Sequence, residues 1–319
     1  MDPISYTPRR AAQVLRVEPK DLAATARKDA YSALDLLALR QKMKRMPPEL
    51  GPRRQLFLNF KGGTGKTSLS TSYAFRLAEM GYRVLLIDLD SQGHATKCLG
   101  LDGEECTKTL LNVLVKRMPI SEVIRPSGMP QLDIVPSNLA MSTVELALMP
   151  LAGREFKLRN ALKEVASQYD LTVLDAPPSF GLLNLNALMA ADDLIVPVLA
   201  DFLSFHGLKL LFETVQGLEE DLQHHLGNVF IVINAFNASF KLAKEAQEAL
   251  QEHYGDFLCK TVVRQCTKFA QASSEGRPVF VADPESKGAH DIQALIDEVM
   301  GALLKGGRGL GGGREERAT

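Results

Sequence analysis

Residues 55–77 read QLFLNFKGGTGKTSLSTSYAFRL, and the order of residue types in that stretch decides the fold. A short apolar run, Gln55 to Phe60, leads into a glycine-rich loop, Lys61 to Thr67, and then into a helical pattern. Strand, glycine loop and helix in that order make an anion site. Gly62, Gly63 and Gly65 let backbone N–H groups turn inward, and the helix adds its N-terminal donors and dipole. In such a phosphate loop Thr64 and Ser68 complete the cradle, Lys66 reaches the β- and γ-phosphates, and the Thr67 hydroxyl serves Mg²⁺. The pattern G-x-x-x-x-G-K-[ST] would place its first glycine at position 60. This chain has Phe60 there and a second lysine, Lys61, directly before Gly62.

Working outward from that loop, short apolar runs alternate with amphipathic stretches. QLFLNF, RVLLID, LDIVP, LTVLD, LIVPVL, VFIVIN and CKTVV read as buried strands. Residues 66–80, 154–168, 204–219 and 240–253 read as helices between them, and HDIQALIDEVMGALLK as a closing helix. The alternation predicts an α/β fold with a doubly wound, mostly parallel sheet, in which ligands bind beyond the carboxyl ends of the strands. Asp88 and Asp90 follow one buried run, where strand geometry would put both on one face, a pair suited to metal and attacking water. A second run delivers Asp175 as the carboxylate that completes the Mg²⁺ shell. Pro177 and Pro178 then stiffen a turn leading to Gly181.

Bulk properties set bounds on function. The 319 residues are 45% hydrophobic and 24% charged, with a formal net charge of −1. A global polycation is excluded, so nucleic-acid binding would need a local patch. Four cysteines, Cys98, Cys106, Cys259 and Cys266, lack C-x-x-C spacing and a neighbouring histidine cluster, which reads as reduced structural thiols in a cytoplasmic protein. No apolar run has the length of a membrane span, and MDPISYTPRR lacks a signal-peptide core.

Residues 1–50 form a basic N-terminal extension ahead of the body at 51–305. Through Arg54 they bring twelve Lys/Arg against six Asp/Glu. DLAATARKDAYSALDLLALRQKMKRM reads as one helix closed by Pro47-Pro48, and YTPRRAAQVLRVEPKDLAATAR has a faint helix-turn-helix look. A mobile arm, a helix packed on the body, and a contact surface for a partner or DNA all remain open. Residues 306–319 read as a flexible glycine-rich tail.

Three motifs together resemble the ParA/MinD class of deviant Walker ATPases. They are Lys61-Gly62-Gly63-x-Gly65-Lys66-Thr67, then Asp88-x-Asp90-x-Gln92-Gly93, then Asp175-x-Pro177-Pro178. The likeness runs from about Gln55 to Lys305 and includes FAQASSEGRPVFVADPESKGA, which is similar to partition proteins. The whole chain resembles the members that position the division site more than those that partition DNA. The resemblance implies an ATP- and Mg²⁺-dependent homodimer with nucleotide between the subunits, slow hydrolysis, and stimulation by DNA and by a scaffold or adaptor protein. It makes Lys61 the signature lysine that reaches the partner subunit's nucleotide. It also makes Asp90 the residue that positions water, Asp88 and Asp175 the magnesium carboxylates, and Asn234 an adenine contact. Ser91 and His94 stand where proline and asparagine are common, which touches loop rigidity and turnover.

Members of the class differ in the surface they hold. The end beyond Lys305 cannot build an amphipathic face, so the expectation is no membrane partner. The basic residues Arg264, Lys268 and Arg277 lie where relatives contact nonspecific DNA, which implies a nucleoid-associated protein, with Lys268 the best positional match. Two other classes compete with this one. A cluster-bridging redox enzyme needs a cysteine pair that Cys98 and Cys106 do not resemble. A transcriptional regulator would act through the basic extension.

Overall fold

Seven strands of the computed structural model, which describes residues 4–306, form one sheet in the order β5-β6-β4-β7-β3-β8-β9. Its strands are β3 (Arg53–Phe57), β4 (Val84–Asp88), β5 (Arg125–Pro126), β6 (Leu132–Val135), β7 (Leu171–Asp175), β8 (Asp193–Leu199) and β9 (Asn228–Asn234). All neighbours are parallel except the β5 edge. Two further strands, β1 (Ser5–Tyr6) and β2 (Tyr31–Ser32), pair antiparallel on their own. The expected doubly wound sheet is present, with an antiparallel edge that the pattern of apolar runs does not reveal.

The helices are α1 (Pro8–Leu15), α2 (Pro19–Thr25), α3 (Ala33–Lys42), α4 (Lys66–Glu79), α5 (His94–Cys98), α6 (Leu110–Leu114) and α7 (Val144–Leu148). They continue as α8 (Lys157–Leu162), α9 (Leu182–Ala190), α10 (Leu203–Leu222), α11 (Lys241–Tyr254), α12 (Thr267–Ser274), α13 (Val279–Ala282) and α14 (Lys287–Leu304). Strand side chains alternate between two cores, as a period of two requires. Phe57, Val84, Leu86 and Val173 face α4 and α14, while Leu56, Leu85, Ile87 and Leu174 face the α6–α9 side.

Two expected elements change. CKTVV is no regular strand. It runs beside β9 through isolated bridges, with Cys259 N donating to Ile231 O and Val263 N to Ile233 O, both at 2.8 Å. The stretch 154–168 contains α8 flanked by 3₁₀ turns rather than one helix.

The extension is neither one helix nor a free arm. Its helical run is broken at Ala26, which is extended (φ −160°), and restarts at Ser32, where Ser32 and Asp35 form a capping box. Ahead of the break, α1 and α2 are joined by three residues, with Arg16 left-handed at φ 55°. Ala11, Val14, Leu15, Leu22, Tyr31 and Leu36 share one hydrophobic cluster with Tyr73 and Phe75 of α4 and Ile292 and Ile296 of α14. Charges pin the same contact: Arg16 pairs with Asp297 at 2.7 Å, and Arg10 lies 3.8 Å from Glu79. The expected tail lies, beyond Gly306, outside the described residues.

Arg40 is the keystone of that contact. It is 5% exposed, and its guanidinium donates to the carbonyls of Val14 (2.5 Å), Glu79 (3.2 Å) and Arg45 (3.3 Å). Burial, with Arg76 nearby, draws its pKa down to about 10. Arg40→Ala strands buried carbonyls from three segments, so urea unfolding should show a loss of about 2–4 kcal/mol. A change below about 0.5 kcal/mol, the usual surface range, would mean these bonds are not what joins extension to body.

Candidate functional site

Parallel register builds the site. Phe57 at the end of β3 is paired with Asp175 at the end of β7, and Asp175 with Asp88 at the end of β4. The phosphate loop therefore leaves the sheet at the same level at which both carboxylates arrive. Asp90 lies two residues past β4, in the following turn, so strand alternation does not place it beside Asp88 as the spacing suggested. Its backbone N–H instead donates to Asp88 Oδ1 at 3.1 Å, and its own Oδ1 accepts from Gln92 N at 3.0 Å.

The loop is held from outside. Gly63 and Gly65 have φ of 74° and 88°. A Cβ on Gly65 would stand 2.1 Å from Asn234 Nδ2, the atom that donates to Thr64 O at 2.8 Å. Asn234 thus lies against the phosphate loop, and its amide nitrogen holds that loop's backbone. At the other end Asn59 accepts from Lys61 N (2.9 Å) and donates to Pro197 O (2.7 Å), tying the loop to β8. Lys66 is buried, with Nζ donating to Lys61 O at 3.1 Å. Burial lowers its pKa, opposed by Asp175 and Asp90. Gly62 is exposed, and Thr67 and Ser68 lie half-buried in the first turn of α4.

Both strand-end carboxylates are buried. Asp88 Oδ2 accepts from Thr96 N (2.8 Å) and Thr96 Oγ1 (2.7 Å). Burial, with Asp175 adding repulsion, raises its pKa to about 7 despite those bonds. Asp175 Oδ1 accepts from Ser70 Oγ at 2.8 Å, whereas Oδ2 is buried with no partner. Burial raises Asp175 to about 6, against the hydroxyls of Ser70 and Thr67. Thr64 Oγ1 is also buried and unpartnered.

The two residues that break the phosphate-loop pattern face the rim. Phe60 packs edge-to-face on Phe180 of the turn after β7, with centroids 5.2 Å apart. Lys61 Nζ pairs with Asp201 Oδ2 at 2.8 Å. Asp201 also accepts from Ser204 N and Oγ at the start of α10. Burial raises its pKa, but Lys61 and Ser204 outweigh that and leave it below the usual range. Exposed Met149 and Phe180 line a cavity of ≈ 390 Å³ at this rim together with Phe60 and Leu185, and exposed Phe202 and Leu203 directly follow Asp201. Sequence alone does not single out Asn59, Ser70, Thr96 or Asp201. Thr96 and Ser70 are neutral side chains in helices, and Asp201 lies 140 residues from its partner.

The basic segment departs from its sequence appearance, which shows no acid before Glu275. Arg264 pairs with Asp291 through Nε–Oδ2 (2.9 Å) and Nη2–Oδ1 (2.7 Å), with 53% of its side chain still exposed. Lys268 lies 3.4 Å from Asp283 and bonds Gln271 at 3.1 Å, with 39% of its side chain exposed. Arg277 is exposed after α12.

The raised carboxylates set a pH dependence. In the unfolded chain Asp88 ionises near its ordinary 3.8, and in the fold near 7. Between those values the unfolded state binds fewer protons, so stability falls as pH rises. Tm of nucleotide-free protein should drop from about pH 5 to about pH 8, and Asp88→Asn should flatten that slope. An unchanged slope in the variant would mean Asp88 is ionised throughout.

Comparison with known proteins matches this geometry. A family model described as an AAA domain covers residues 55–228. Cell division protein PomZ of Myxococcus xanthus is 70% identical over 304 residues, covering 95% of each chain. Sporulation initiation inhibitor protein Soj of Bacillus subtilis is 33% identical over 241 residues, 76% of this chain and 95% of its own. Among solved structures, apo McdA from Cyanothece aligns with TM-score 0.71 at 21% identity over 79% of this chain and 99% of that one, a likeness of fold. Cobyrinic acid a,c-diamide synthase from Mycobacterium smegmatis, with bound ATP analogue and magnesium, aligns with TM-score 0.66 at 27% identity over 79% and 94%. By its strand-end carboxylates, its two-lysine phosphate loop and these matches, the chain belongs to the ParA/MinD family of P-loop ATPases.

Proposed function

We infer that this chain is an ATP-driven dimerisation switch that holds nonspecific DNA in its ATP-bound form and positions the division site. The observation that carries the reading is the register Phe57–Asp175–Asp88, which converges a phosphate loop and two buried carboxylates on one point. The unpartnered buried Oδ2 of Asp175 and Oγ1 of Thr64 fit a phosphate-and-cation cluster, since buried polar atoms otherwise find partners. Thr67, Asp88 and Asp175 would hold magnesium, which neutralises charge on the phosphate oxygens.

Each residue then has a distinct task. Gly62, Gly63 and Gly65 present backbone N–H groups to phosphate, with Thr64 and Ser68 beside them. Lys66 supplies a desolvated cation to the β- and γ-oxygens. Asp90, anchored to Asp88 through its backbone, orients the attacking water. Asn234 sits where the base would enter while bracing the loop. Lys61, released from Asp201, reaches the nucleotide of a second subunit, and the exposed apolar rim around it supports that pairing. A cation supplied in trans is worth roughly 10³–10⁵ in rate elsewhere, so hydrolysis stays slow until the dimer, DNA and a scaffold or adaptor protein complete the site. Division-site positioning is preferred to chromosome partition because the 70% match spans 95% of both chains, the extension included. On DNA, Lys268, Arg264 and Arg277 are the contacts, Arg264 being oriented by its pair with Asp291. Among the described residues no helix is long and apolar enough to cross a membrane.

Retention of purified protein on DNA tests the switch. ATP and Asp90→Ala should retain it, while ADP and Lys66→Gln should not. Retention without nucleotide would sink the coupling. If ATP drives dimerisation but nothing binds DNA, the switch stands and Lys268 loses its role.

A further inference from the structure

The extension folds into a module whose two sides differ. One side docks: Arg10, Arg16 and Arg40 bond the body, and the apolar residues of α1 and α3 enter its core. The other side is α2. Its single buried residue is Leu22, so Lys20 and Ala24, two positions before and after it, point about 200° away. Lys20, Asp21, Ala23 and Ala24 are all exposed. Docking explains α1 and α3 and leaves α2 unexplained.

The local architecture gives α2 a use. An eight-residue helix, a three-residue turn and a second helix packed on the first follow the order of a helix-turn-helix, and β1 with β2 closes it as a two-stranded ribbon. In that arrangement the second helix meets the major groove while flanking cations hold phosphates. The small Ala23 and Ala24 allow close backbone approach. Lys20, and Arg27 in the loop between α2 and β2, are exposed and make no ion pair among the described residues. Lys42 of α3 reaches across to Thr25 O at 3.2 Å and adds a cation at the end of α2. Glu18, Asp21 and Asp29 equal Lys20, Arg27 and Lys42 in number, so the contact depends on where the cations stand and not on a net positive charge, which suits one that assists rather than dominates. The module also adjoins the segment already proposed for DNA: a cleft of ≈ 240 Å³ is lined on one wall by Ser5, Tyr6 and Arg10 and on the other by Arg277 and Phe280.

We propose that the N-terminal module is a second duplex-DNA contact, made by the outward face of α2 with Lys20 and Arg27 on backbone phosphates. It rests on the DNA-binding reading above and extends it to a surface remote from the nucleotide. Each ATP dimer carries two such modules, so DNA is gripped at four places rather than two.

The test uses the full chain and a duplex of about 60 base pairs, of arbitrary sequence, long enough to neutralise many phosphates at once. Affinity is followed by fluorescence anisotropy against salt, with ATP, with ADP and without nucleotide. Lys20→Ala/Arg27→Ala is compared with Lys268→Ala, and the basal ATPase rate measured without DNA and the urea midpoint are controls that the module pair should leave unchanged. The milder Lys20→Gln/Arg27→Gln pair repeats the test if the urea midpoint falls. Removing two phosphate-neutralising cations per subunit should weaken binding about tenfold or more at moderate salt and lower the log–log salt slope by about 0.9 for each phosphate no longer neutralised. Unchanged affinity and slope in the module pair, with weaker binding by Lys268→Ala, overturns this proposal and leaves the switch standing. Nucleotide-independent binding abolished by the module pair upholds the module and overturns the gating. Absence of duplex binding in every nucleotide state overturns both.

Discussion

Three parallel strands ending at one level impose the chemistry of this protein. Because Phe57, Asp175 and Asp88 are register partners, any slip of β7 against β3 or β4 would carry the carboxylates away from the phosphate loop. That register is enforced from both faces, since each strand sends alternate residues into two separate cores. The cores therefore position two acids as well as stabilising the sheet. Both acids are buried, and burial raises their pKa values by disfavouring the charged form. Positive charge relieves such a site, and Lys66 already draws the Asp175 pKa down.

The departure at positions 60 and 61 follows from what each residue touches. A glycine at 60 would leave Phe180 without its edge-to-face partner, so Phe60 links the start of the phosphate loop to the turn after Asp175. Lys61 links the same loop to Asp201, which accepts from Ser204 N in the first turn of α10. The loop and the turn after Asp175 are thus tied to the rim by side chains that the standard pattern lacks. The Lys61–Asp201 pair is partly exposed, and an exposed ion pair contributes little stability. Such a pair can exchange partners cheaply.

The sheet and phosphate loop are legible in the sequence because they depend on local signals: apolar runs of strand length, glycines before a lysine, acids at strand ends. What escapes depends on distance along the chain. Lys268 and Arg264 read as a bare basic patch, yet folding brings Asp283 and Asp291 against them from beyond α13 and from α14. CKTVV has strand composition, but it only bridges the outer edge of β9 instead of forming a ladder. A helical reading of residues 21–46 follows composition past Ala26 and misses the capping box at Ser32, a restart written in two residues. Asn234 is legible as a strand-end asparagine, whereas its grip on Thr64, across 170 residues, is not.

The extension shows how an added segment becomes part of a fold without touching its chemistry. Its basic excess suggests a polyelectrolyte arm, but several of those charges are engaged internally, on Glu79, Asp297, Asp35 and the carbonyls around Arg40. Net charge therefore overstates what the module offers to solvent, and the position of each cation matters more than the sum. Cations on the α1 and α3 side close the seam with α4 and α14. Those near α2 have no such duty. A module held by buried guanidinium bonds and a shared core keeps a fixed orientation relative to the nucleotide site. The outward face of α2 is consequently held in register with the phosphate loop rather than on a tether.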